Sequence, residues 1–222
     1  MPDGPNPGSR PPMSIPSERA GKTVSLLAGT KVFDRNYFKR YYEDPRTRVA
    51  ATGHYAVLAD FIASYLRMLT VPVASILDAG AGVGHFRSRL LRHFPNARYL
   101  GIDVSEYACE RYGWTQTSIA DFSEGRYDLV VCHDVLQYLP AREAERALVN
   151  LAQLCGGVLY FLALTREDWR ENCDQTRTDR AVFLRSARWY AKRLEPHFRN
   201  AGGGLFIARQ SGIVSFALHA SP

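Results

Sequence analysis

Residues 76–86 read ILDAGAGVGHF. An apolar run ends in a carboxylate, Asp78. Three glycines follow at alternate positions, Gly80, Gly82 and Gly84, and the chain then turns helical. Glycine has no Cβ, so such a turn offers bare backbone to whatever lies against it. A glycine-rich turn between a strand and a helix marks a ligand site. The identity of that ligand decides both fold and function.

The rest of the chain narrows the choice. Its 222 residues are 46% hydrophobic and 23% charged, the make-up of a globular protein with room for one sizeable α/β domain. No run approaches the roughly 18 to 20 apolar residues that span a bilayer, so no membrane is expected. The N-terminus lacks a basic patch followed by an apolar core, so no signal peptide is read. Cys109, Cys132, Cys155 and Cys173 form no CxxC pair. Reduced cysteines in a cytoplasmic protein fit best, and no metal is expected. The net charge of +6 hints at an anionic partner; solubility explains it more simply, so nucleic acid is possible but not favoured.

Residues 1–23 are rich in Pro, Gly and Ser with little to bury, which reads as a disordered tail. Met13 offers an alternative start. Over 24–70 the pattern is helical. Phe33, Tyr37, Phe38, Tyr41 and Tyr42 recur at three and four, Pro45 interrupts, and the period resumes near His54. This segment is expected to form an N-terminal helical cap. After Pro72 short apolar strands alternate with helices: VASILDA, RYLGIDV, WTQTSIADF, YDLVVCHDV and VLYFLAL. Ser105 is an expected N-cap, and Gly156 and Gly157 an expected helix stop. GLFIARQ and IVSFALHA close the chain around Ser211-Gly212, a hairpin signal. Alternation of strand and helix predicts an α/β fold. Its sheet is Rossmann-like and mostly parallel, with right-handed crossovers, helices on both faces and an antiparallel C-terminal pair. The catalytic domain is expected over 71–222, with a lid-like insertion at 165–180.

In such sheets ligands bind at the carboxyl ends of the strands, where strand order reverses. A dinucleotide turn reads GxGxxG, with the pyrophosphate on the helix N-terminus. Here the spacing is GxGxG, and His85 stands where the dinucleotide glycine belongs. Asp78 just before the turn would repel a pyrophosphate and suit a cation. S-adenosylmethionine has no phosphate; it carries a sulfonium, an ammonium and a carboxylate, and it suits the turn better. Asp103 lies 19 residues past Gly84 at a strand end, placed to accept ribose hydroxyls. Asp121, at the end of the next strand, is placed to meet an adenine amino group, with Phe122 beside the ring.

The set ILDAGAGVGHF, YLGIDVS, SIADF and YDLVVCHDVLQYLP, in that order, resembles the class I S-adenosylmethionine-dependent methyltransferases over about residues 54–222. The resemblance implies a seven-stranded sheet with a reversed last hairpin. It also implies that Asp78, Gly80 and Gly82 contact the methionine part of the cofactor and Asp103 the ribose. Val104 and Phe122 would flank the adenine, and Asp121 would meet its amino group.

The fourth strand ends in CHDVLQYL and lacks the Asn-Pro-Pro-Tyr-like motif frequent in methyltransferases of nucleobase and glutamine amino groups. A small-molecule acceptor is therefore expected. RNA or protein methylation, and a cofactor-binding protein without turnover, stay open as alternatives. His133 lies where the fourth strand opens into the cleft. It is read as a base or cofactor-positioning residue, against a structural histidine bonded to backbone. Tyr37, Tyr41 and Arg48 from the cap, and Trp169 from the insertion, are candidate substrate contacts; for the tyrosines, packing is the competing explanation.

Overall fold

The structure, a computed structural model, describes residues 33–215. The expected tail and residues 216–220 of the expected final strand lie outside the described residues. Seven strands form one sheet in the order β3-β2-β1-β4-β5-β7-β6. They are β1 (Ser75–Ala79), β2 (Arg98–Asp103), β3 (Thr115–Gln116), β4 (Tyr127–His133), β5 (Cys155–Leu162), β6 (Phe198–Gly202) and β7 (Leu205–Ala208). The first five run parallel, and β7 is antiparallel to both β5 and β6. The order reverses between β1 and β4, which puts the glycine turn at the switch point.

Alternation along the central strands builds the two helical layers. Leu77, Val130, Cys132, Leu159 and Phe161 point to one face, beneath α5 (Ala141–Leu154) and α7 (Ala187–Leu194). Ile76, Leu129, Val131, Val158 and Tyr160 point to the other, beneath α2 (Thr52–Met68) and α3 (Arg87–His93). A strand buried on both faces reads as a continuous apolar run, and β4 and β5 are such runs. On α2, Tyr55, Ala59, Ile62 and Leu66 recur at three and four and are buried against the sheet. Upstream, α1 (Arg35–Phe38) is capped by the Asp34 carboxylate, which accepts from Tyr37 N–H at 2.9 Å. It widens into a π-turn over Lys39–Glu43, closed by Asp44 N–H donating to Lys39 O. Asp44 is extended, as the residue before Pro45 must be.

Three details differ from the sequence reading. The third strand shrinks to two residues, because the chain turns back on Ser118, whose carbonyl accepts from Asp121 and Phe122 N–H. Gly156 and Gly157 lie inside β5 and do not end α5 in a loop; Leu154 passes directly into the strand. A Cβ on Gly157 would sit 2.3 Å from Asp128 O, so close approach of β4 and β5 demands the glycine. The terminal hairpin turns at Gly203-Gly204, not at Ser211-Gly212, with both glycines at positive φ. Its first strand, Phe198–Gly202, has no counterpart in the sequence reading.

The insertion after β5 starts with α6 (Arg166–Glu171). Its capping box pairs Thr165 with Asp168. Arg185 then ties the insertion down. This guanidinium is 7% exposed and donates to Leu136 O, Phe183 O and Leu139 O. Arg185→Met should remove these bonds and leave buried carbonyls unmet, at about 2–4 kcal/mol from urea unfolding. Hydrogen exchange should quicken first over 165–185.

Candidate active site

The end of β1, the glycine turn and the end of β4 enclose a cavity of about 40 Å³. Asp78, Gly80 and Gly82 line it from the turn, His85 and Phe86 from the start of the next helix, and His133 from β4. Tyr55 of α2 and Tyr42 of the π-turn complete the wall.

The turn is held on both sides. Gly82 N–H donates to Asp103 Oδ2 at 2.8 Å, and Trp114 Nε1–H donates to Gly82 O at 2.8 Å. Asp103 Oδ1 accepts from Ser105 N–H, and Ser105 caps α4 (Glu106–Tyr112). A Cβ on Gly80, whose φ is +82°, would lie 2.3 Å from Val135 Cγ2. The bareness is thus a packing requirement at Gly80, and the Gly84 backbone makes room for the Trp114 ring in the same way.

Asp78 is 3% exposed. Burial pushes its carboxyl up to about 7, and the bond from Tyr99 Oη–H at 2.5 Å opposes the rise. Burial also raises the pKa of Asp103, in spite of the backbone N–H groups of Ser105, Gly82 and Val104 that favour its charge. Two buried carboxylates at the turn make the site ready for a cation.

His133 sits at the mouth of β4 with its side chain 8% exposed. Its Nδ1 lies 3.3 Å from Asp134 Oδ2, and its buried Nε2 meets no hydrogen-bond partner among the described residues. Burial holds the imidazole below its usual pKa. Asp134 has φ +58°, a left-handed backbone that Asp tolerates better than bulkier residues, and Gln137 Nε2 donates to its Oδ1. His85 stacks on Tyr55 at 4.0 Å and 8°, its Nε2 likewise buried without a partner. Burial lowers its pKa to about 4.

The cap segment 33–43 lies directly over the turn. Phe38 is 3% exposed and clusters with Ala81, Ala108 and Trp114. Ser105 Oγ–H donates to Phe33 O at 2.6 Å, and the hydroxyls of Tyr37 and Tyr138 meet at 3.0 Å. Of the residues singled out from sequence, Asp78, Gly80, Gly82 and His133 share the cavity, and Asp103 stands just behind it. Val104 is half-buried at the end of β2. Asp121 is exposed and paired with Arg146 at 3.0 Å; Phe122 packs into the core. Tyr37 and Tyr41 belong to the cap's ring cluster, with centroids 5.0 Å apart. Arg48 is close enough to His85 to disfavour its charge. Trp169 lies on α6, half-buried, outside the cavity wall. Tyr99, Tyr55 and Trp114 were missed; each acts across strands or helices, where sequence spacing carries no signal. Among the described residues no group of three or more His, Cys, Asp or Glu is placed to hold a metal, and no helix is long and apolar enough to cross a membrane.

A family model described as a methyltransferase domain matches residues 77–159. The malonyl-[acyl-carrier protein] O-methyltransferase of Legionella pneumophila is 28% identical over 48% of this chain and 42% of its own length. The trans-aconitate 2-methyltransferase of Deinococcus radiodurans is 32% identical over 40% of this chain and 37% of its own. The chain therefore spans about two fifths of the curated relatives it matches. In fold it is similar to a magnesium protoporphyrin IX methyltransferase from Synechocystis solved with bound S-adenosylmethionine. That likeness has a TM-score of 0.55 at 21% identity and covers 78% of this chain and 93% of the other. Residues 77–159 are thus similar to a methyltransferase domain, and the sheet has the fold of methyltransferases solved with S-adenosylmethionine.

The buried Asp78 makes a prediction about stability. Its folded pKa of about 7 lies above the ordinary carboxylate value, so the protein loses stability as pH rises through that window. Asp78→Asn stays neutral throughout. Between pH 5 and pH 8 the variant should gain on the parent by about 2–3 kcal/mol in urea unfolding. A pH-independent difference would place the carboxyl in water.

Proposed function

We propose that the protein binds S-adenosylmethionine at the glycine turn and transfers its methyl group to a small-molecule acceptor. One observation carries the reading: a buried carboxylate, Asp78, opens onto the same cavity as a partnerless imidazole nitrogen, His133 Nε2. The residues present fit the cofactor's amino-acid end. Asp78 supplies the anion for its ammonium, and the turn supplies backbone that no Cβ obstructs. Asp103 keeps acceptor capacity for ribose hydroxyls beyond its backbone bonds, since a carboxylate offers about four lone-pair directions. Val104 directly follows β2 and Asp121 lies in the turn after β3, and both are assigned to the adenine; Phe122 supports them from the core.

When bound, the cofactor supplies an electrophilic methyl on a sulfonium. The chain's own contribution is placement and proton handling. The strand ends and the turn hold acceptor and donor in line, and much of the rate of such a displacement comes from orientation. Asp134 Oδ2, 3.3 Å from His133 Nδ1, favours a proton on that nitrogen, leaving Nε2 to take a proton from the acceptor. The cavity of about 40 Å³ is far smaller than the roughly 300 Å³ or more of a ligand pocket. The cap over 33–43 therefore withdraws to admit the ligands and closes to exclude water. Tyr37 and Tyr41 travel with it, Arg48 follows in the chain, and Trp169 remains a candidate acceptor contact from the insertion.

S-adenosylmethionine should raise the melting temperature and NAD should not. A shift with NAD alone would overturn the cofactor assignment. Affinity should fall as pH drops below about 7, approaching tenfold per unit, because protonating Asp78 removes the charge that attracts the ammonium. Calorimetry from pH 5.5 to 8.5 reads this, and Asp78→Asn should bind weakly and without that slope. Asp103→Ala should weaken binding by about 2–4 kcal/mol, having lost both ribose contacts and the grip on Gly82.

A further inference from the structure

The cofactor reading leaves His85 unused. It holds the place where a dinucleotide turn would have glycine, and the ring is turned inward onto Tyr55. Its Nε2 and that of His133 are buried in the wall of one cavity with no partner among the described residues. A buried polar group without a hydrogen bond is costly, and two beside one cavity call for a common explanation. The Tyr55 ring bridges them, with its centroid 4.0 Å from His85 and 5.7 Å from His133. Phe86 lies 5.6 Å from His133, and Tyr160 stacks on it at 6.0 Å and 14°. The cavity wall at Tyr55, His85, Phe86 and His133 is therefore flat rings with two nitrogen atoms set among them.

We infer that His85 and His133 together select the acceptor, a hydroxyl carried on a flat aromatic ring, with His133 receiving the proton and His85 fixing the ring in place. This rests on the methyltransferase reading above. Asp134 beside His133 Nδ1 leaves Nε2 as a hydrogen-bond acceptor, which recognises a protic group and offers nothing to a carboxylate. Burial keeps both imidazoles uncharged at neutral pH, so neither attracts an anionic acceptor. The acceptor oxygen gives its proton to Nε2 and forms its bond to the methyl carbon, whose former bonding pair leaves on sulfur. The proton then passes from His133 to water.

The test uses catechol as the aromatic hydroxyl, cyclohexane-1,2-diol as its non-planar counterpart and trans-aconitate as the acid. Each is titrated calorimetrically into full-length protein loaded with S-adenosylhomocysteine. Turnover with S-adenosylmethionine is followed by mass spectrometry. Catechol should bind at least tenfold tighter than the other two and should alone be methylated. His85→Phe should weaken catechol tenfold or more while cofactor affinity is unchanged, and His85→Gln should restore part of it. His133→Gln should bind catechol within a few-fold of the parent and lose at least a hundredfold in turnover. The inference is overturned if catechol neither binds nor reacts, if trans-aconitate is the better acceptor, or if His85→Phe binds catechol as the parent does. Cofactor binding in the same titrations reports separately on the methyltransferase reading: its loss in the parent would sink both, its presence only clears the cofactor.

Discussion

The peptide unit of Gly82 is gripped from both sides, and the site hangs on that grip. Its N–H is held by Asp103 at the end of β2, and its carbonyl by the indole of Trp114 just before β3. Asp103 also reaches Ser105 N–H, so one carboxylate fixes the glycine turn, the end of a strand and the start of a helix. Glycine is the least constrained residue, and a turn with three of them would otherwise cost much entropy to order. Here the ordering is done by neighbours that contribute side chains where the turn has none. A bare backbone can thus be rigid, and the ends of β1 and β4 keep a fixed distance across it.

The second constraint is electrostatic. Asp78 lies under the turn with a single phenolic partner, Tyr99, in a setting that burial makes unfavourable for charge. Nearby, His85 and His133 are held neutral by the same loss of water. The cavity therefore carries groups of opposite character, each shifted by burial toward its neutral form. A ligand that brings a matching charge or proton changes that balance at once. Sites of perturbed ionisation gather where chemistry is done, and structural networks elsewhere rarely leave ring nitrogens without partners.

Much of this was legible in the residues. The apolar runs of β1, β4 and β5 and the position of Asp103 after the glycine turn follow from local pattern, and they fix the sheet and its switch point. The capping serine at 105 was legible for the same reason, since a cap acts within three residues. What could not be read joins distant residues. Tyr99 meets Asp78 across 21 positions, Trp114 meets Gly82 across 32, and Arg185 reaches Leu136 across 49. No periodicity encodes such pairs. The hairpin was placed too late because Phe198–Gly202 lacks a strongly apolar run. Its pairing with β7, with Phe198 buried beneath it, gives it strand character that propensity does not.

The seamless passage from α5 into β5 has a consequence for how this architecture can vary. Leu154 is helical, Cys155 is already in the sheet, and Gly157 is wedged against the backbone of its neighbour. There is no slack there in which an added residue could be absorbed without shifting β5 by one position. Such a shift would exchange the two faces of that strand and turn Leu159 and Phe161 toward the wrong layer. Insertions and deletions are barred at that junction and channelled to the opposite rim, where the segment after β5 is pinned by one arginine. Among descendants of this chain, length should change at the rim that faces the cavity and stay fixed at the other.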